Sequence, residues 1–175
     1  MKDQPLVSII TPSYNQARFL EETMLSVLEQ DYPNIEYIVI DGGSSDESPQ
    51  IIQKYAHRLA YWQSQKDKGQ TDAINQGFAR ASGEILAWLN SDDILYPGAV
   101  SAAVQQLQQH PEVGMVYADC DWINADGKVI GKFPAAQTDL KKLRRGYVHV
   151  PQQTAFFRAD LWRRVGPLDD SFYFA

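Results

Sequence analysis

Cysteine is almost absent from this sequence: Cys120 is the only one among 175 residues. An intrachain disulfide and a cysteine-rich zinc site are therefore excluded, and a reducing compartment is favoured. The three histidines stand at positions 57, 110 and 149. Such scattered positions give no histidine metal motif and no catalytic triad.

Long apolar runs are missing as well. The first apolar stretch, residues 6–10, is shorter than the apolar region of a signal peptide. No stretch approaches the ~20 apolar residues needed to cross a bilayer. We therefore predict a cytoplasmic chain without a transmembrane segment, and a peripheral position at the inner face of a membrane stays open.

Positive charge is scarce: 16 Lys and Arg against 22 Asp and Glu give a formal net charge of −6. An acidic chain without long basic runs binds nucleic acid poorly, so no nucleic-acid partner is expected. The only basic cluster, residues 141–145, is interpreted as an exposed helix face or a local anion contact.

The composition itself is that of a globular protein, 44% hydrophobic, and the length suits one domain. Short apolar strands alternate with amphipathic helices up to about residue 110, which predicts an α/β fold with a mostly parallel sheet. Strands are predicted at 6–10, 35–40, 59–63 and 85–89, and helices at 18–30, 49–55, 73–79 and 99–109. Residue 71 or 72 is expected to cap the third helix.

After residue 110 the pattern changes. A strand is predicted at 113–117, a hairpin around the turn 125–127, a further strand at 154–157 and a helix at 159–165. The result is a small antiparallel addition to the parallel sheet.

Ligands of open parallel sheets bind beyond the carboxyl ends of the strands. Asp92 and Asp93 follow the fourth predicted strand, and adjacent carboxylates repel each other unless a cation or strong donors compensate. Mg²⁺ and Mn²⁺ typically use one or two carboxylates together with substrate phosphates. The competing interpretation of the pair is an ordinary turn.

The other strand ends offer contacts for a nucleoside. Asp41 can accept hydrogen bonds from a ribose or a base, or it can be a turn residue. Tyr14 can stack on a base or be partly buried, and Lys68 can meet a phosphate or be an exposed loop lysine. A dinucleotide-binding glycine motif, a P-loop and a serine-hydrolase elbow are absent.

Three segments resemble the family-two glycosyltransferases with the GT-A fold. They are residues 7–15 (VSIITPSYN), 37–46 (YIVIDGGSSD) and 89–93 (LNSDD). The resemblance extends over essentially the whole chain. It implies a single Rossmann-like GT-A domain over residues 1–175 that transfers a sugar from a nucleotide-sugar donor, often a UDP-sugar, with Mn²⁺ or Mg²⁺ as cofactor.

The resemblance also implies roles for individual residues. Nucleotide-sugar contacts are implied for Thr11, Pro12, Tyr14, Asp41, Lys68, Asp72, Asn75, Ser91 and Asp92, and metal binding for Asp92 and Asp93. Among them, Asp41 matches the acid that hydrogen-bonds the base. Contacts on the acceptor side are implied for His149, Gln152, Gln153 and Arg158. Asn90 stands where the family's metal motif begins with an acid, so it departs from the pattern.

These roles divide the chain into a donor and metal half, 1–98, and an acceptor half, 99–175. The implied reaction inverts the anomeric carbon, with a carboxylate base that deprotonates a hydroxyl of a saccharide or lipid-linked acceptor. A role in cell-surface polysaccharide or glycoconjugate synthesis is expected.

In the family the base follows a segment like 168–172, so we expect it beyond Ala175, the last residue of this sequence. A chain truncated before its base is expected to be inactive or poorly active. Asp169 and Asp170 are weak substitutes. Self-association is expected from an exposed apolar patch at Trp162 and 172–174. The alternatives are a nucleotide-sugar binding module without turnover and a nucleotidyltransferase.

Overall fold

A computed structural model describes residues 4–147 and 149–171. The strands are β1 (Val7–Ser13), β2 (Ile35–Asp41), β3 (Tyr61–Ser64), β4 (Ile85–Trp88), β5 (Met115–Val116), β6 (Cys120–Ile123), β7 (Val129–Phe133) and β8 (Phe156–Arg158). The helices are α1 (Ala17–Leu28), α2 (Ser48–Tyr55), α3 (Gln70–Arg80), α4 (Ala99–Gln109), α5 (Leu140–Arg144) and α6 (Ala159–Val165). Short 3-10 helices cover Ala56–Arg58 and Gln152–Thr154.

Six strands form one sheet in the order β3-β2-β1-β4-β8-β5. β1, β2, β3 and β4 are parallel, whereas β8 runs antiparallel to both β4 and β5. β6 and β7 form a separate antiparallel pair. The predicted fold class, a mostly parallel α/β sheet with a small antiparallel addition, is confirmed.

β1 lies in the parallel part of the sheet and is buried on both faces. Val7 and Ile9 pack into one apolar cluster with α1 and α4, and Ile10 packs into the cluster on the other face with α3. α3 approaches so closely that a Cβ on Gly77 would lie 2.5 Å from the side chain of Ile10. Helices on both faces therefore account for the continuous apolar runs of the strands.

Several predicted boundaries are wrong. The third strand begins at Tyr61 instead of 59, and the strand predicted at 113–117 contains only Met115 and Val116. α3 begins at Gln70, after Gly69 at φ +116°, and no side chain caps it. Asp72 instead accepts a hydrogen bond from the backbone N–H of Lys68. The hydrogen bond closes the preceding loop rather than the helix end.

The part of the chain after α4 is more exposed. The basic cluster 141–145 overlaps α5, whose residues are all exposed, as one of the two interpretations predicted. Trp162 is half-buried, and its ring centre lies 4.5 Å from that of Phe78. The other positions of the predicted apolar patch, 172–174, lie outside the described residues. Within the described ranges, no helix is both long and apolar enough to span a membrane.

Candidate functional site

The carboxyl ends of β1, β2, β3 and β4 meet at one edge of the sheet and surround a cavity of about 740 Å³, here called the donor cavity. Four of the predicted donor residues line it: Pro12, Tyr14, Ser91 and Asp92. It is also lined by Asn90, the first position of the motif at 90–93, and by residues outside the predicted set of contacts, among them Ser13, Gly42, Lys66, Asp67 and Gln70.

The other predicted donor residues lie outside the wall of the cavity. Thr11 is fully buried, and its hydroxyl lies 2.9 Å from that of Tyr37. Lys68 is exposed on the loop before α3, where the cavity is lined by Lys66 instead. Asp72 accepts hydrogen bonds from the Lys68 backbone and from the Gln76 side chain. These contacts shape the loop next to the cavity.

Asp41 is completely buried at the end of β2. Its Oδ2 accepts hydrogen bonds from the backbone N–H of Gly43 at 3.2 Å, that of Ser44 at 2.9 Å and the hydroxyl of Ser64 at 2.6 Å. The hydroxyl of Ser44 donates to its Oδ1. A buried carboxylate with this many donors is satisfied by the protein. It therefore holds the 42–44 loop in place.

The loops after β1 and β2 are joined by direct hydrogen bonds. Asn15 has a left-handed backbone at φ +52°, a conformation that asparagine tolerates better than most residues. Its Oδ1 accepts from the backbone N–H of Ser45 at 2.9 Å, and its own N–H donates to the Ser44 hydroxyl at 2.8 Å. Asp46 accepts the N–H of Ala17 at the start of α1. Tyr14, 63% exposed, is thereby presented from a fixed loop.

Ser13 is a residue to which the sequence assigned no role. It is 4% exposed and lines the donor cavity, and its hydroxyl has no hydrogen-bond partner among the described residues. A buried hydroxyl without a partner costs stability, so a ligand that supplies one gains from it. The only sequence signal was its position between Pro12 and Tyr14 at a strand end.

The two adjacent carboxylates after β4 face different spaces. Asp92 is exposed and lines the donor cavity, whereas Asp93 lines a second, largely apolar cavity of about 380 Å³. Burial, and next the charge of Asp92, raise the pKa of Asp93 to about 6 against the lowering effect of a hydrogen bond from Asn90. The pair therefore has negative charge that the surrounding protein only partly compensates.

These residues fit a divalent ion that is shared with a ligand. In the described parts of the chain, no group of three or more His, Cys, Asp or Glu side chains could enclose a metal ion. Mg²⁺ and Mn²⁺ nevertheless bind through one or two carboxylates when phosphate oxygens and water complete the shell. Asp92, with the only partly compensated charge of Asp93 beside it, offers that arrangement at the cavity wall.

Asn90 connects the elements around this pair. Its Oδ1 accepts from Gln70 at 2.7 Å, and its Nδ2 lies 3.3 Å from an Asp93 carboxylate oxygen and 3.2 Å from Oε1 of Gln152. Gln152 in turn donates to the backbone carbonyl of Trp88 at 2.8 Å. An acid at position 90 could not donate these hydrogen bonds. The departure from the family motif thus has a structural reason.

The four residues predicted for the acceptor side lie in different parts of the structure. Gln152 joins the site through Asn90, and Gln153 lines the second cavity and lies 3.2 Å from the Cys120 sulfur. His149 is half-buried. Arg158 lies at the opposite edge of the sheet, because it pairs with Ile85 at the beginning of β4.

The side chain of Arg158 is engaged there. It donates to the backbone carbonyls of Val113 at 2.8 Å and Leu107 at 2.6 Å. The structure therefore does not bring Arg158 to the donor cavity, and its contacts are structural.

The described residues do not test the expected position of the catalytic base. The expected position, beyond Ala175, lies outside the described residues, as does Ala175 itself. The substitutes Asp169 and Asp170 are both exposed. A hydrogen bond from the side chain of Ser171, followed by one from its backbone, lowers the pKa of Asp169. A lowered pKa is unfavourable for a general base, so the position of the base stays a prediction.

The segment before these two acids is fixed on α3. The side chain of Asn75 exchanges two hydrogen bonds of 2.9 Å with the backbone of Leu168. Asn75, predicted as a donor contact, therefore holds the 168–170 segment against the helix instead of lining the donor cavity.

Sequence relatives were found across bacteria. An uncharacterized glycosyltransferase of Mycobacterium tuberculosis is 38% identical over 175 residues, covering 98% of this chain and 66% of its own length. One from Nostoc is 32% identical over 177 residues, covering 93% of this chain and 54% of its own. The chain thus spans roughly half to two thirds of these curated relatives.

Solved structures match the fold. Residues 1–349 of Staphylococcus aureus TarS, in complex with UDP-GlcNAc, superpose with a TM-score of 0.75 at 22% identity over 91% of this chain and 47% of that TarS chain. The mannosyltransferase PcManGT of Pyrobaculum calidifontis, in complex with GDP-Man and Mn²⁺, gives 0.72 at 24% identity over 96% of this chain and 48% of its own. Both support the predicted GT-A fold. The family model "Glycosyl transferase family 2" matches residues 8–165, and the chain therefore belongs to that family.

Proposed function

We propose that the donor cavity binds a nucleoside diphosphate sugar, with UDP as the expected nucleotide, and that the sugar is transferred to an acceptor hydroxyl with inversion. The observation that carries this is the position of Asp92: its carboxylate lines a cavity that the ends of all four parallel strands surround. The expected setting is polysaccharide or glycoconjugate synthesis on the cytoplasmic side of a membrane.

Each part of the cavity has a task in this proposal. The exposed ring of Tyr14 stacks on the base, an interaction that contributes ~1–3 kcal/mol. Lys66 and the hydroxyl of Ser13 contact the ribose or diphosphate. Asp92, together with the charge of Asp93, would hold Mn²⁺ or Mg²⁺ at the cavity wall. When bound, such an ion supplies charge neutralisation for the leaving diphosphate.

The bound ligands of the structural neighbours support this assignment. TarS was solved with UDP-GlcNAc and PcManGT with GDP-Man and Mn²⁺. Because this chain shares their fold and has acids at the carboxyl edge of its own sheet, a nucleotide sugar and a divalent ion are the ligands to test first. The acceptor hydroxyl would enter beside Asp93 and Gln153, where the second cavity begins.

Calorimetric titration with UDP and GDP, each with and without Mn²⁺, tests the donor proposal. We expect binding that chelation of the metal weakens at least about tenfold, since metal and diphosphate bind together. Tighter binding of a nucleoside triphosphate would favour the nucleotidyltransferase alternative. Indifference to the metal would contradict the assigned role of Asp92.

Release of UDP from UDP-sugars, with and without simple saccharide acceptors, then separates a transferase from a binding module. Turnover above that of the Asp92→Asn variant supports transfer or hydrolysis. Tight, metal-dependent donor binding without any turnover would identify this chain as the binding module.

A further inference from the structure

Asp41 and Asp67 are the two candidates for the residue that recognises the nucleobase of the donor. The family resemblance implies Asp41, but Asp41 is completely buried, and three protein groups donate to its Oδ2 while the Ser44 hydroxyl donates to its Oδ1. A base could reach Asp41 only by displacing the 42–44 loop. Its hydrogen-bonding capacity is already used.

The carboxylate of Asp67 occupies the space that a side chain at position 42 would take. A Cβ built on Gly42 would lie 3.0 Å from each carboxylate oxygen of Asp67. The carboxylate comes from the loop after β3 but lies over the end of β2. Glycine at position 42 leaves the space in which this carboxylate sits.

The loops that carry these residues are held tightly together. The backbone N–H of Gln65 donates to the carbonyl of Asp41 at 3.0 Å. A Cβ on Gly43, where φ is +80°, would lie 2.9 Å from the backbone nitrogen of Lys66. Asp67 is therefore fixed next to Gly42 by the backbone rather than by a mobile loop.

The carboxylate of Asp67 is only partly satisfied. Its Oδ1 accepts the backbone N–H of Gly69 at 2.8 Å, and in the described part of the chain it forms no ion pair. It is half-buried and lines the donor cavity together with Tyr14. An aromatic face for stacking and a free carboxylate oxygen for an N–H donor are the two contacts that a nucleobase uses.

We infer that Asp67 is the residue that recognises the base of the donor, by accepting a hydrogen bond from a ring N–H next to a carbonyl. Uracil offers this group at N3 and guanine at N1, whereas the ring nitrogens of adenine and cytosine at that edge are acceptors. Asp41 is a positioning residue that holds the 42–44 loop beside it. The inference rests on the proposed binding of a nucleotide in the donor cavity.

Calorimetric titration of the protein with UDP, UDP methylated at N3 and ribose 5-diphosphate, each with Mn²⁺, tests the inference. We expect the unmodified protein to bind UDP about tenfold or more tighter than N3-methylated UDP. In Asp67→Ala, which has no acceptor atom, this preference should fall to about threefold or less. Binding of ribose 5-diphosphate should not change, because it has no base. Asp126→Ala, on the exposed β6–β7 turn, is the matched control.

Gly42→Ala provides a second variant that keeps the carboxylate. Its Cβ would push the Asp67 side chain aside, so the preference for UDP over N3-methylated UDP should fall here too. A preference that survives in Asp67→Ala, or one absent from the unmodified protein, overturns the inference. If GDP binds better than UDP and loses that advantage in Asp67→Ala, guanine is the recognised base and the inference stands.

The same titrations keep the two proposals apart. Binding of ribose 5-diphosphate without any discrimination between bases overturns the role of Asp67 but leaves the donor cavity as proposed. Failure of UDP, GDP and ribose 5-diphosphate to bind in the presence of Mn²⁺ overturns both. Unchanged thermal unfolding midpoints of the variants show that the comparison is made on folded protein.

Discussion

The parallel and the antiparallel parts of the sheet are held together in different ways. β1 and β2 pair over seven residues each, and every residue of β1 is buried, whereas β8 pairs over only two residues with β4 and two with β5. Hydrogen bonds from the Arg158 and Gln152 side chains to backbone carbonyls supplement the short pairing of β8. The sheet edge around the donor cavity is therefore positioned by backbone register, and the neighbouring region around β5 and β8 by a few polar side chains.

The substitution Gly83→Ala should have the largest effect, because it destabilises the parallel part of the sheet. Its Cβ would lie 2.5 Å from the Ser8 hydroxyl and 2.7 Å from the Ser8 nitrogen, and backbone atoms cannot move aside. We expect a loss of about 3 kcal/mol in the free energy of unfolding, measured with urea. Gly114→Ala, beside β5, is the matched control, since its nearest contact is 3.4 Å from a Leu161 methyl. A control that loses as much as Gly83→Ala would contradict the contrast between the two parts.

Asp41→Asn should show that the donor edge depends on buried polar contacts. The amide has an NH₂ group where the carboxylate accepts from Ser44 and Ser64, so at least one buried donor loses its acceptor. We expect a loss of about 2 kcal/mol in unfolding free energy. If stability is unchanged while UDP affinity falls, then Asp41 contacts the base directly, as the family resemblance implied.

Asp92→Asn should weaken Mn²⁺-dependent UDP binding about tenfold, or ~1.4 kcal/mol, because the exposed carboxylate faces the donor cavity. Asp93→Asn should have the smaller effect, since Asp93 faces the second cavity and Asn90 lies beside it. Titration of each variant with UDP at saturating Mn²⁺ measures the difference. The opposite order would mean that Asp93 is the principal metal ligand.

The pH dependence of stability gives the smallest expected effect. The pKa of Asp93 is raised to about 6 in the folded protein from a usual value of 3.8, so the native state binds more protons than the unfolded state between about pH 4 and 6. Stability from this group therefore rises as pH falls from 7 to 4. In metal-free buffer we expect about 1 kcal/mol after solvent screening. The difference between the profiles of the unmodified protein and Asp93→Asn isolates it, and identical profiles would contradict it.

Much of the fold could be predicted from the sequence alone. α4 and α6 have the predicted bounds, and the parallel strands lie within a few residues of theirs. Both kinds of element are determined by local periodicity and flanking turn residues. The strand at 113–117 was overestimated, because an apolar run does not show how many of its residues find a partner strand.

The candidate site was only partly predictable. Asp92 and Tyr14 follow strand ends, and parallel strands bring their carboxyl ends together, so both lie in the donor cavity. Arg158 was predicted to contact the acceptor. The sequence predicts an antiparallel addition, but it does not reveal that β8 pairs with β4 in the register that sets Arg158 opposite Ile85, and this pairing puts Arg158 at the opposite edge of the sheet.

By itself the sequence determined an acidic α/β domain of the glycosyl transferase family 2, with polar strand ends and an acidic pair that suits a divalent ion. Only the tertiary structure decided which carboxylates line the donor cavity and which are buried. Asp41 lies in the chain segment that resembles the family, yet it is enclosed by its own loop, and Asp67 from the neighbouring strand lies over Gly42 in its place. That exchange depends on the packing of two loops across the β2–β3 ladder, an interaction between positions about 25 residues apart that local sequence does not encode.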